Sequence, residues 1–278
     1  MKHLCLDGET IVLRRMRALT ERDTGRRGVP AVVLDTETTG LDRGADTIIE
    51  VGIRPFEFDA DTGEILAIRP ALVALQDPGK PLSVEIARLT GLTDADLSGK
   101  AIDWRAVRAL LDAADIVVAH NAAFDRPFVD RAMASATRTG PVKPHVWACS
   151  VAQIEWDAPS RSQQVLCAWH GFFCLESHRA LSDADALLQL LETSRRMPEL
   201  YRTAREPSYR LRALGAAFEK KDTLKARGYR WDSQDRCWWT ELPNHAAAQD
   251  EMQWAADTVY GGRFRGEVEK QEPWQRFR

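Results

Sequence analysis

Short apolar runs separated by turn residues alternate with stretches of helical period along most of the chain. Ala31-Val32-Val33-Leu34 is too short for a globular helix and rich in β-branched residues, so it reads as a buried strand. Thr47 to Ile53 is a second strand, and Glu64 to Leu75 a third. Asp59-Ala60-Asp61-Thr62-Gly63 supplies the turn between the last two, so the three predict an antiparallel meander. Ser83 opens a short helix that Gly91 ends. Trp104, Val107, Leu110 and Leu111 recur at helical spacing within Trp104 to Ala113. Ile116-Val117-Val118-Ala119 is another buried strand, followed by a helix with Phe124, Phe128, Val129 and Met133. Val146 to Cys149 predicts a strand, and Ser162 to Gly171 a helix ended by glycine. A long helix runs from Ala180 to about Arg195, with Met197-Pro198 closing it. This order predicts an α/β domain with a mixed sheet flanked by helices over residues 29–197.

Both flanks read differently. Residues 1–28 form an arm with a possible strand at Thr10-Ile11-Val12-Leu13 and a charged stretch after it. Residues 198–262 predict a small α+β module. Tyr209 to Glu219 is a strand or helix, Asp222 to Asp232 a helix and strand, Cys237 to Leu242 a strand, and Asn244 to Tyr260 a helix. Trp231, Trp238 and Trp239 make this module aromatic, either as its core or as a stacking surface for single strands beside Lys225, Arg227, Arg230 and Arg236. Residues 263–278 form a basic, aromatic tail that is either disordered or a docking peptide.

Composition adds few constraints. At 278 residues, 44% hydrophobic and 28% charged, the chain has the balance of an ordinary globular protein. No apolar run is long enough for a bilayer and the first residues lack a signal-peptide core, so cytoplasmic residence is expected, with no membrane partner. Five scattered cysteines fit reduced thiols, and Cys167, His170 and Cys174, with His145 and Cys149, match no usual zinc spacing. Charge is uneven. Residues 29–200 carry 25 acids against 16 bases, and both flanks carry a basic excess. A polyanion held by the flanks over an acidic, metal-binding centre fits this distribution.

The chemistry concentrates at the first strand's exit, Asp35-Thr36-Glu37-Thr38-Thr39-Gly40. Alternate residues of a strand share a face, so Asp35 and Glu37 present two carboxylates together. Such a pair repels itself unless a cation intervenes, and hard cations take oxygen ligands. Asp125 follows another strand's end and Asp183 lies in the first turns of the long helix. Four carboxylates suffice for two divalent cations, the arrangement that serves phosphoryl displacement. His178, in the loop entering that helix, is suited to take a proton near neutral pH, and His120 at a strand end is a rival for that role. Asp185 reads as a solvated acid.

Asp35-Thr36-Glu37-Thr38-Thr39-Gly40, His120-Asn121-x-x-Phe124-Asp125 and His178-Arg179-Ala180-x-x-Asp183 resemble, in order and spacing, the three motifs of the DEDDh exonuclease family, which includes the proofreading epsilon subunit of bacterial DNA polymerase III. The resemblance covers about residues 30–197. It implies a ribonuclease-H-like fold and 3′→5′ removal of nucleotides from free 3′ ends. It implies two Mg²⁺ or Mn²⁺ ions on Asp35, Glu37, Asp125 and Asp183, with His178 as general base. It also implies that Thr38, Thr39, Gly40 and Leu41 hold the terminal nucleotide, with Asn121 and Phe124 lining the pocket. Single-stranded or frayed DNA 3′ ends are the expected substrate, in replication or repair. An exoribonuclease is the alternative, and a non-catalytic adaptor that tethers a polymerase or repair partner through the C-terminal module is a second.

Overall fold

The computed structural model describes residues 12–136, 144–233 and 235–278, and the chain divides into two compact units. The first comprises Met1–Ala204 with Phe277–Arg278, the second Arg205–Arg276.

The first unit begins with two short strands, β1 (Arg14–Arg15) and β2 (Arg22–Asp23). Thr10 and Ile11 of the expected first strand lie outside the described residues. Then come β3 (Val29–Thr38), β4 (Ile48–Phe58), β5 (Ile65–Ile68) and β6 (Leu72–Leu75). The single strand expected over 64–75 is thus two, because Arg69-Pro70 interrupts the ladder where proline has no N–H to give. Helices α1 (Val84–Thr90), α2 (Asp94–Leu97) and α3 (Trp104–Ala113) follow, capped by Ser83, Thr93 and Asp103. Next are β7 (Ile116–Ala119), α4 (Ala122–Ala136), β8 (Trp147–Cys149), α5 (Ser150–Gln153), α6 (Gln163–Trp169) and β9 (Phe172–Phe173). The unit closes with α7 (Ala180–Ser194) and α8 (Met197–Arg205). Met197-Pro198 therefore starts a helix rather than only ending one, since proline is tolerated in a first turn.

The main sheet has the order β2-β5-β4-β3-β7-β8, with β6 also on β4. The meander β3-β4-β5 is antiparallel, while β7 and β8 run parallel to β3. Alternation along β3 sends Val32 and Leu34 into one core with Val107, Leu111, Phe128 and Val129. Ala31 and Val33 enter the other, with Ala184, Leu187 and Leu188 of α7. A mixed α/β sheet covered on both faces is the architecture expected from the sequence.

The second unit is a four-stranded antiparallel sheet, β11-β12-β10-β13. Its elements are β10 (Ser208–Ala213), α9 (Lys221–Ala226), β11 (Arg230–Asp232), β12 (Cys237–Leu242), α10 (His245–Thr258) and β13 (Glu267–Gln271). Leu211, Ala213, Leu224, Tyr229, Ala255 and Val259 form its core. The tail expected to be disordered or a docking peptide supplies β13, paired with β10 from Ser208↔Gln271 to Arg212↔Glu267.

Candidate active site

Three elements converge at the carboxyl end of β3. Asp35 and Glu37 share one face of that strand, toward α7. A register shift follows Glu37, the kind of bulge that re-aims side chains beside active sites. α7 brings Asp183, and the loop before it brings His178. Glu37, His178 and Asp183 each place one ligand atom within 4.8 Å of the others. His178 has φ 63°, left-handed backbone, and its N–H donates to Asp183 Oδ2 at 2.7 Å. Asp125, in the first turn of α4, arrives from the other side of the strand. Its Oδ1 accepts from the Thr36 N–H at 3.1 Å and the Thr36 hydroxyl at 2.8 Å. Asp35 and Asp125 stand outside the tight trio, yet their charges act on it and on each other.

The electrostatics are those of crowded acids. Burial, then the charges of Asp125, Asp183 and Glu37, hold the Asp35 carboxyl well above its ordinary range. Burial with Asp183, Glu50 and Asp125 pushes Glu37 up to about 8. Burial raises Asp125 to about 7 against the opposing pull of the Thr36 hydrogen bonds. Asp183 is raised by burial and eased by the His178 N–H. A divalent cation is the ordinary remedy for such repulsion, and carboxylate oxygens suit a hard cation, with the His178 imidazole beside them. The donor set therefore fits the expected metal.

The helix carrying Asp183 is seated on β4 by three residues that share one strand face. Glu50 lies opposite Glu37 in the β3–β4 register and is 1% exposed. It accepts from Arg179 Nη2 at 2.9 Å and from the Ala180 N–H at 3.1 Å, satisfying the start of α7 in place of a side-chain cap. Two residues on, a Cβ on Gly52 would lie 2.2 Å from Leu181 N, so only glycine admits the helix backbone. Two further on, Arg54 grips Asp185 through Nε–Oδ1 at 2.9 Å and Nη2–Oδ2 at 2.8 Å, both residues buried. Asp185 is therefore not a solvated acid. It points away from Asp183, as the helical offset requires, but into the sheet.

The loop after β3 is tied down with equal care. Thr38 Oγ1 donates to Gly40 O at 2.6 Å, and Thr39 Oγ1 to Asp46 Oδ1 at 2.8 Å. The Asp46 carboxylate lies where a Cβ on Gly40 would be, 2.4 Å from Oδ2. Leu41 projects from the loop, 83% exposed. Pro127 has no N–H to offer the Ala123 carbonyl one turn back, and Arg43 of the loop donates to that carbonyl at 2.5 Å. Arg131 of α4 reciprocates by binding the Arg43 and Asp46 carbonyls. Asn121 is exposed, and its carbonyl accepts the Phe124 N–H at 2.7 Å. Phe124 is half-buried against Phe128, ring centroids 5.1 Å apart.

His120 is otherwise engaged. Its Nε2 donates to the Arg161 carbonyl at 2.9 Å, which leaves Nδ1 to accept from the Ser150 hydroxyl at 2.8 Å. Burial lowers its basicity further. His145 pairs with Asp112 at 2.7 Å, and burial pushes the Cys167 thiol up to about 12. Among the described residues, Glu37, His178 and Asp183 are the one trio of this kind, and no cysteine belongs to it. Glu50, Gly52 and Arg54 escaped the sequence reading. Their signal was a lone acid inside Ile48-Ile49-Glu50-Val51, where a charge needs a partner.

Residues 32–191 match the exonuclease (RNase_T) family. Over 189 residues, 66% of this chain, the sequence is 30% identical to a PolC-type DNA polymerase III of Bacillus subtilis, of which it spans 12%. Over 103 residues, 36% of the chain, it is 42% identical to the PolC-type DNA polymerase III of Listeria monocytogenes, of which it spans 7%. The chain thus covers only a small part of either relative. Among solved structures, E. coli exonuclease I in complex with a dA16 oligonucleotide aligns with TM-score 0.51 and 13% identity, over 77% of this chain and 63% of that one. The zinc-ion-bound E. coli ExoI–ssDNA complex aligns with TM-score 0.52 and 13% identity, over 90% and 64%. These two share the fold. Among the described residues, no helix is long and apolar enough to cross a membrane.

Proposed function

The chain belongs to the exonuclease (RNase_T) family, and from that membership we propose that it removes nucleotides from the 3′ ends of DNA, single-stranded or frayed, by metal-dependent phosphodiester hydrolysis. The observation that carries this reading is the trio Glu37, His178 and Asp183 within 4.8 Å, flanked by the carboxylates of Asp35 and Asp125. A strand-end cluster of acids with one adjacent imidazole suits metal-assisted hydrolysis, and the family match narrows that to a phosphodiester. The relatives named DNA polymerase III, and the solved exonucleases holding oligonucleotides, favour DNA over RNA.

In this reading Asp35, Glu37, Asp125 and Asp183 hold two Mg²⁺ or Mn²⁺ ions. Those ions, when bound, stabilise charge on the attacking and leaving oxygens. His178 takes a proton from the attacking water as its oxygen bonds to phosphorus. The bond from phosphorus to the 3′ oxygen of the preceding nucleotide breaks, and that oxygen takes a proton from solvent, leaving a new 3′ hydroxyl and a 5′-monophosphate. The loop Thr38-Thr39-Gly40-Leu41 holds the terminal nucleotide, with Leu41 as an apolar contact for a base. Asn121 and Phe124 line the other wall. Arg43 and Arg131 keep that loop against α4, so nucleotide contacts and Asp125 move as one body.

The test offers the full chain 5′-labelled single strands with free and with blocked 3′ ends, matching RNA, and Asp35→Ala, each with Mg²⁺, Mn²⁺ or EDTA. A ladder shortening from free 3′ ends, dependent on metal and lost in Asp35→Ala, is expected. Equal loss from blocked ends would refute 3′ polarity, and faster loss of RNA would reassign the substrate. An inert chain would overturn the enzymatic reading itself.

A further inference from the structure

The second unit carries aromatic rings that its own core does not use. Leu211, Ala213, Leu224, Tyr229, Ala255 and Val259 form that core, with Trp238 and Trp254 among the side chains packed against it. Trp231 nevertheless stands 52% exposed and Phe218 75% exposed. Large exposed aromatics that share a surface mark an interaction site more often than a packing accident.

The two rings are joined by α9. Lys221 and Lys225 lie four residues apart and so on one side of this helix. Leu224 on the same helix faces the core instead. Lys221 Nζ sits 4.4 Å over the Phe218 ring, and Lys225 Nζ 6.0 Å over Trp238. Trp238 in turn meets Trp231 edge-on at 5.4 Å, across the Trp231↔Trp238 pair of β11 and β12. The result is a strip running from the Phe218 ring past the two ammonium groups to the Trp238 and Trp231 rings, ending on β11, one edge strand of its sheet. Of the nearby acids, Asp235 pairs with Arg212 and Glu251 with Arg227, while Glu219, Asp222 and Asp232 adjoin the strip in the chain. Residues 205–276 as a whole hold 13 basic against 12 acidic groups, so the strip draws on ring faces together with the two ammonium groups rather than on a strongly basic surface.

We propose that this strip, from Phe218 through Lys221 and Lys225 to Trp231, binds single-stranded DNA independently of the catalytic centre. Unpaired bases present faces for Phe218 and Trp231, and the intervening phosphates meet Lys221 and Lys225. In duplex DNA the base faces are already stacked on one another, so the strip selects single strands. Lysine suits this role as a flexible point charge that does not impose one phosphate geometry. Trp239, on the opposite face of its strand, is covered by Arg210 at 4.7 Å and takes no part.

The probe is a circular oligothymidylate of about 30 nucleotides, which has no 3′ end to enter an exonuclease site. Binding to the full chain is measured in EDTA by fluorescence anisotropy over a range of salt. Trp231→Ala should weaken binding by about five- to a hundredfold, and Trp231→Tyr should restore most of it. Lys221→Gln with Lys225→Gln should flatten the slope of log affinity against log salt by about 1.4. Wild-type affinity in Trp231→Ala, an unchanged salt slope in the double lysine variant, or equal displacement by duplex would each overturn the proposal. Should Trp231→Ala fail to fold, Phe218→Ala and the lysine pair, all on the surface, decide alone. Because no hydrolysis is read, failure here leaves the nuclease reading untouched, and failure of that reading leaves this one.

Discussion

Replacing Gly52 with alanine adds one methyl group at the place where α7 touches the sheet. The new Cβ would lie 2.2 Å from Leu181 N, 2.4 Å from Ala180 C and 2.6 Å from Leu181 Cα. All three are backbone atoms, so no side chain can swing aside. Ordinary contact begins near 3.4 Å, so the start of α7 must retreat by about 1.2 Å. Asp183 and the loop bearing His178 retreat with it, away from Glu37. A misplacement near 1 Å in a catalytic constellation costs about a hundredfold in rate. The strain of overpacking costs about 1–3 kcal/mol, and each kcal/mol lowers the melting temperature by about 2–4 °C in a unit of this size. The assay is single-strand hydrolysis at saturating Mn²⁺, with calorimetry of the same preparation. We expect kcat to fall about a hundredfold while KM changes little, because Thr38 to Leu41 do not ride on α7. A folded Gly52→Ala enzyme with kcat within about twofold of wild type would refute the link between this contact and the site.

Three further outcomes follow from the same geometry. Without metal, folded Glu37 and Asp125 still bind protons up to about pH 8 and 7, whereas the unfolded chain releases them near pH 4. The unfolded state then binds fewer protons, so metal-free stability should fall from about pH 4 to 8, and Mg²⁺ should raise the melting temperature more at pH 8 than at pH 5. A metal-free stability that is flat across that window would contradict the crowding of acids described above. His178→Ala should lose about 10²- to 10⁴-fold in kcat, whereas His120→Ala should cost mainly stability, about 1–2 kcal/mol, by removing the Ser150 and Arg161 hydrogen bonds. Equal kcat losses in the two variants would disprove the division of roles. Arg54→Met alone should destabilise by about 3–5 kcal/mol in urea titration, and Arg54→Met with Asp185→Leu should recover most of that, since the second change removes the stranded charge. Additive losses would show that the two residues do not act as a pair.

Much of the first unit is legible in the sequence because its signals are local. The apolar run ending at Asp35, the 120–125 strand exit and the apolar period of α7 each announce an element without reference to any other. What escaped depends on partners distant in the chain. Asp185 looks solvated because nothing within a turn of it is basic, and its partner Arg54 is 131 residues away. Glu50 interrupts an apolar strand, and only Arg179 and the start of α7 make sense of it. Residues 267–271 are charged at three of five positions, which masks a strand whose partner, β10, precedes it by more than fifty residues. In each case tertiary pairing overrides a local pattern. Glu37, His178 and Asp183, far apart in the chain, are brought together by the fold.

The manner in which α7 begins has a consequence for local opening. First turns of helices ordinarily exchange their amide hydrogens early, because those N–H groups face solvent. Here the Ala180 N–H is buried and held by a carboxylate from a neighbouring strand, and the backbone around it rests on Gly52. Helix α7 should therefore lose protection against deuterium exchange from its far end, at Ser194, and keep it longest beside Asp183. The proposed site would then be among the last parts of the first unit to open, and fraying of α7 from Ser194 would leave Asp183 in place.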